Sequence, residues 1–133
     1  MTELDPAQII SIGRIFPGVK RIWLDALRSG EFRQARGAMR LSDGFMDPLG
    51  ILCELYRRDQ GGNWAPRDDG WVFRDARNQY AAGGDLTPAI LKWAGSRASR
   101  CGLAAPGATW AIANLNDSGA PFAEIAELIE ENL

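Results

Sequence analysis

Six basic side chains, Lys20, Arg21, Arg28, Arg33, Arg36 and Arg40, stand between positions 20 and 40 against two acids, in a chain whose net charge is -2. Arginine presents a planar fork of N–H donors that matches the oxygens of a phosphate or carboxylate. The chemistry this stretch offers is therefore the binding of an anion. A charge run also reads as a solvated face, and residue types alone leave both readings open.

Chemistry beyond binding has little to work with. Histidine is absent, which removes the usual general base near neutral pH and the commonest metal ligand. Asp68 and Asp69 precede Gly70 and read as turn formers, and adjacent strand residues would point to opposite faces. Lys20 and Lys92 are the two lysines, and neither lies in an apolar run. The pairs Gly61-Gly62 and Gly83-Gly84 lack the spacing of a phosphate loop. Cys53 and Cys101 lack metal-ligand spacing and read as reduced core thiols. We expect no catalytic set, no cofactor and no metal site.

A slight acidic excess opposes duplex nucleic acid, whose binding is driven by neutralising many phosphates. Ser118 to Leu128 has the pattern of the first helix of a helix-turn-helix, yet Glu124, Glu127, Glu130 and Glu131 crowd this end of the chain. No window is long and apolar enough for a bilayer, and the expectation is a cytosolic protein that binds a small anion.

These side chains must be positioned by short elements. At 133 residues, 46% of them hydrophobic, the chain fits one domain with one core. Asp5-Pro6 opens a helix carrying Ile9, Ile10 and Ile12, which breaks at Pro17-Gly18 and forms an N-terminal extension over 1–17. The next helix places Val19, Ile22, Trp23, Ala26 and Leu27 on one stripe and ends at Gly30. Ala35 to Leu41 reads as a strand, with Arg36 and Arg40 on one face roughly 13 Å apart. Ser42-Asp43-Gly44 is a turn. Asp47 caps a third helix, with Pro48 in its first turn and Leu49, Leu52, Cys53 and Tyr56 on one face. Trp64 to Arg74 reads as a hairpin turning at Asp69-Gly70, with Trp71 as its core member. Thr87-Pro88 starts a short helix that stops at Gly95. Thr109 to Leu115 fits a strand or a helical turn equally, and Asn116 to Gly119 is a turn. From Pro121 an amphipathic helix carries Phe122, Ile125, Ala126 and Ile129 inward. The fold expected is α+β: a small antiparallel sheet packed against several short helices, with a C-terminal amphipathic helix.

The ordered fragments Trp23-Leu24-Asp25-Ala26-Leu27-Arg28-Ser29-Gly30, Gln34-Ala35-Arg36-Gly37 with Arg40, Asp47-Pro48-Leu49-Gly50-Ile51-Leu52-Cys53-Glu54-Leu55, and Leu115-Asn116-Asp117-Ser118-Gly119 leading into Phe122 to Ile129 together resemble small proteins of tailed-phage genomes. Proteins of this appearance are similar to the Thoeris anti-defence sponges. That resemblance implies a homo-oligomer in the host cytosol that holds a cyclic ADP-ribose type immune messenger without cleaving it. It directs attention to Arg28, Arg36 and Arg40 for the pyrophosphate, Trp23 or Phe45 for the base, and Asn116 or Asp117 for hydrogen bonds to ribose or base. An accessory protein or inhibitor that docks directly on a host protein is the alternative.

Overall fold

Proline sits in the first turn of three helices, at Pro17, Pro48 and Pro88, where its missing N–H leaves no helical bond unmade. A computed structural model describes residues 15–81, 86–95 and 108–132. Their order is α1 (Pro17–Arg28), α2 (Pro48–Gln60), β1 (Asn63–Arg67), β2 (Gly70–Arg74), β3 (Tyr80–Ala81), α3 (Pro88–Ala94), α4 (Ala108–Asp117) and α5 (Phe122–Asn132). The fold is α+β as expected, with one antiparallel sheet in the order β1-β2-β3. The expected helix before Pro17, and Cys101, lie outside the described residues.

Side-chain caps begin α2 and α3: Asp47 accepts from the Gly50 amide at 2.7 Å, and Thr87 accepts from the Ile90 amide at 3.4 Å. No side chain caps α1. The Phe16 amide instead donates to the Ala94 carbonyl at 2.7 Å, which ties the start of α1 to the end of α3. α2 is the central helix, with α1, α3 and α4 packed on it, and α5 closes over α1 and α4. Every residue from Pro48 to Tyr56 is buried. Gly50 is required there, because a Cβ would overlap the Met39 carbonyl oxygen.

The stripe of α1 differs from expectation at one position. Val19, Trp23, Leu24 and Leu27 are buried, whereas Ile22 is 41% exposed. Ile22 and Leu24 flank the line through Val19, Trp23 and Leu27 about 100° to either side, so the helical period does not choose between them, and the fold covers the Leu24 side. Lys20 is half-buried and donates to the Glu130 carbonyl at 2.8 Å, capping the last turn of α5.

The expected strand over 35–41 is absent. Gly37 has φ +83, and the segment makes isolated bridges at Gln34, Arg40 and Leu41. Its backbone is claimed by the end of α4 instead: the Gly37 amide donates to Asp117, and Asn116 donates to the Ala35 carbonyl. Arg36 and Arg40 therefore do not share a face. The hairpin exists, but its register pairs Arg67 with Gly70, so the turn is Asp68-Asp69 and Gly70 already belongs to β2. Its core member is Phe73, fully buried, and Trp71 is half-buried. The ambiguous stretch 109–115 is helical within α4, and Asn116 and Asp117 form that helix's last turn.

Candidate functional site

Of the seven residues singled out in the sequence, most are already committed to the fold. Trp23 is buried and its indole donates to the Pro48 carbonyl at 2.9 Å, so it offers no stacking surface. Arg28 pairs with Glu130 at 3.2 Å on the surface. Phe45 is half-buried beneath the Arg33 guanidinium, 5.7 Å from its ring centre. Arg36 donates to the Asn116 and Gly119 carbonyls at the end of α4, where a cation also suits the helix dipole.

Asn116 and Asp117 hold the 34–37 loop. Asn116 is fully buried, donates to the Ala35 carbonyl at 2.7 Å and accepts from Gln34 at 2.7 Å. Asp117 accepts from the Gly37 amide at 2.7 Å. The sequence motifs Gln34-Ala35-Arg36-Gly37 and Asn116-Asp117-Ser118-Gly119 are thus two halves of one structural clamp. Beside it Asp47 is buried, its carboxyl accepting from the Gly50 amide at 2.7 Å. Desolvation is the main cause that pushes its pKa up to about 7, the charge of Asp117 adds to this, and the Gly50 amide opposes it.

Arg40 is the exception. Its backbone runs alongside the start of β2, where the Trp71 amide donates to the Arg40 carbonyl at 3.1 Å. A Cβ on Gly70 would sit 2.6 Å from that carbonyl oxygen, so glycine is what lets the two segments meet. The hairpin register puts Trp64, Pro66, Trp71 and Phe73 on one face of the sheet. The Arg40 guanidinium lies against that face, 4.9 Å from the Trp71 ring centre and 5.3 Å from that of Trp64. Its Nε is buried without a hydrogen-bond partner, and no ion pair reaches it among the described residues. A half-buried guanidinium held by two rings, with donors left over, has the chemistry to accept an anion.

Arg40 lines a cavity of about 370 Å³ together with Phe32, Met46, Glu54, Arg57, Gly62, Asn63 and Trp64. Glu54 is the fixed point of its floor. Burial would raise the pKa of this carboxyl, but hydrogen bonds from Arg57, Trp64 and Arg58 outweigh burial and hold it down to about 2. At neutral pH it is a permanent anion with its oxygens occupied, which suits it to orienting Arg57 and Trp64 rather than to taking a proton. Arg40 and Arg57 leave the lining with one positive charge in excess of Glu54. Sequence reading missed Glu54, Arg57 and Trp64, because nothing in their spacing shows that the hairpin folds back on α2.

Among the described residues no group of three carboxylates or thiols is placed to hold a metal ion, and no helix is long and apolar enough to cross a membrane. Cys53 is a buried free thiol, and desolvation pushes its pKa well above the usual thiol range. No curated protein and no solved structure matches the chain. Residues 16–133, which include the clamp and the whole Arg40 cavity, match the family model described as Domain of unknown function (DUF8296), and the chain belongs to that family.

Proposed function

We propose that this protein binds a small nucleotide-like anion in the Arg40 cavity and releases it unchanged, a sequestering role rather than a catalytic one. The observation that carries the reading is the Arg40 guanidinium, held against Trp64 and Trp71 with no acid paired to it among the described residues. Phe32 and Trp64 supply ring surface and Asn63 an amide beside it. The cavity falls within the range of about 300–1,000 Å³ usual for small-ligand sites. The one carboxylate in the lining is too weak a base at neutral pH to assist hydrolysis.

The resemblance to phage sponges supplies the ligand class and the setting: a cyclic ADP-ribose type immune messenger, a homo-oligomer and the cytosol of an infected host. The test is titration calorimetry of the wild type and Arg40→Gln against cyclic ADP-ribose isomers and cyclic oligonucleotides. Binding by one of these is expected, with the ligand recovered intact by chromatography after denaturation. Loss of a charge-assisted contact in Arg40→Gln is expected to weaken it about 10- to 100-fold. No heat with any of these ligands, or recovery of a cleaved product, would sink the proposal.

A further inference from the structure

The row of aromatic rings that begins at Arg40 does not stop in the core. Trp64 meets Phe73 at 5.1 Å, Phe73 meets Tyr56 at 5.9 Å, and Tyr56 meets Trp93 at 5.5 Å, each edge to face. At the Trp93 end lies a second, larger concavity of about 610 Å³. Its lining includes Phe16, Tyr56 and Trp93 on the aromatic side and Arg77, Lys92 and Gln79 on the polar side. Among the described residues no carboxylate lines it.

Two features set this concavity apart from ordinary surface. Arg77 and Lys92 are exposed and form no ion pair among the described residues, although the chain as a whole is acidic. The loop that carries Arg77 and Gln79 is also held in place from beneath. Buried Asp75 accepts from the Arg77 amide at 2.7 Å and the Gln79 amide at 3.0 Å, and Asn78 adopts φ +64 to complete the turn. On the aromatic side Phe16 is 56% exposed, and Trp93 is anchored by its indole on Asp59 at 2.7 Å. A ring surface with two cations that, among the described residues, have no ion pair and no lining carboxylate beside them matches one ligand chemistry.

We propose that this concavity is a second binding site, for a flat aromatic ring carrying an anionic group, with the ring held by Phe16 and Trp93 and the anion by Arg77 and Lys92. It shares no lining residue with the Arg40 cavity and does not depend on the function proposed for it.

Adenosine monophosphate is the probe, since it joins a ring and an anion, with adenosine and inorganic phosphate as its separate halves. Calorimetry on the intact chain is expected to show adenosine monophosphate binding about tenfold or more tightly than either half. Arg77→Glu with Lys92→Glu is expected to weaken that binding about tenfold or more, and Arg77→Gln with Lys92→Gln to do so in the same direction. Arg40→Gln should leave this binding within about twofold, because distant sites act independently. Near-ultraviolet circular dichroism checks that each variant is folded. No binding by the wild type, or binding that both double variants retain in full, overturns the proposal. If Arg40→Gln alone removes the binding, the probe occupies the Arg40 cavity, and the second site falls while the first gains support.

Discussion

Replacing Asn116 with alanine separates a structural role from a ligand-binding one. The side chain is fully buried and takes part in three hydrogen bonds: to the Ala35 carbonyl at 2.7 Å, from Gln34 at 2.7 Å, and to Asp117 at 3.2 Å. Each is worth about 1 kcal/mol net, and the orphaned carbonyl of buried Ala35 adds roughly 1 kcal/mol more. Asn116→Ala is therefore expected to lose about 3–4 kcal/mol of stability. For a chain of this size the melting temperature falls by about 10 °C. Urea unfolding followed by tryptophan fluorescence measures it. Gln34→Ala alone should be milder, about 2 kcal/mol, since it removes one of these bonds together with the bond from Gln34 to the Ala120 carbonyl. The double variant should fall short of the sum by about 1 kcal/mol, because the Gln34–Asn116 bond is counted in both single variants. If Asn116→Ala unfolds within about 0.5 kcal/mol of wild type while abolishing ligand binding, the clamp is not structural and the reasoning fails.

Three other perturbations follow from the same geometry. Asp47 keeps its proton in the folded state up to about pH 7 but releases it near 3.8 when unfolded, so its contribution is full below pH 3.8 and is lost as pH rises to about 7. Asp47→Asn keeps an acceptor for the Gly50 amide, so it should match wild type near pH 4 and exceed it at pH 8, by at most about 4 kcal/mol, in urea titrations at the two values. Glu54 behaves with the opposite sign: its stabilisation is present above about pH 4.5 and is lost as pH falls toward 2, and Glu54→Gln should flatten acid unfolding across that window. Gly50→Ala drives a methyl group into the Met39 carbonyl, and thermal unfolding should show a loss of at least about 3 kcal/mol or no folded protein.

Local signals in the sequence predicted what local chemistry decides. Asp47-Pro48 and Thr87-Pro88 begin helices, Gly95 ends one in the left-handed conformation, and Ile125, Ala126 and Ile129 turn inward on α5. The failures come where distant chain overrides local preference. Ala35 to Leu41 alternates like a strand, yet its backbone partners lie about eighty residues away on α4. The same cause explains the site. Basic residues in sequence do not show which of them an acid or a carbonyl will meet, so Arg28 and Arg36 look identical to Arg40 until Glu130 and the end of α4 are placed. What distinguishes Arg40 among the described residues is its seat against two tryptophan rings without an ion pair, and that arrangement has no sequence pattern.

The packing of α1 against α5 has a bearing on how the chain is made. Lys20 and Arg28 both reach Glu130, across 110 and 102 residues. While the ribosome is still reading the codons between α1 and α5, the stripe of Val19, Trp23, Leu24 and Leu27 has emerged without the helix that covers it. α2 follows early enough to take the Trp23 indole on the Pro48 carbonyl, only 25 residues on. The other flank stays open until α5 leaves the exit tunnel. Closure of the fold thus waits for α5, and nascent chains stalled before residue 122 present an apolar groove that chaperones, proteases or neighbouring chains can engage.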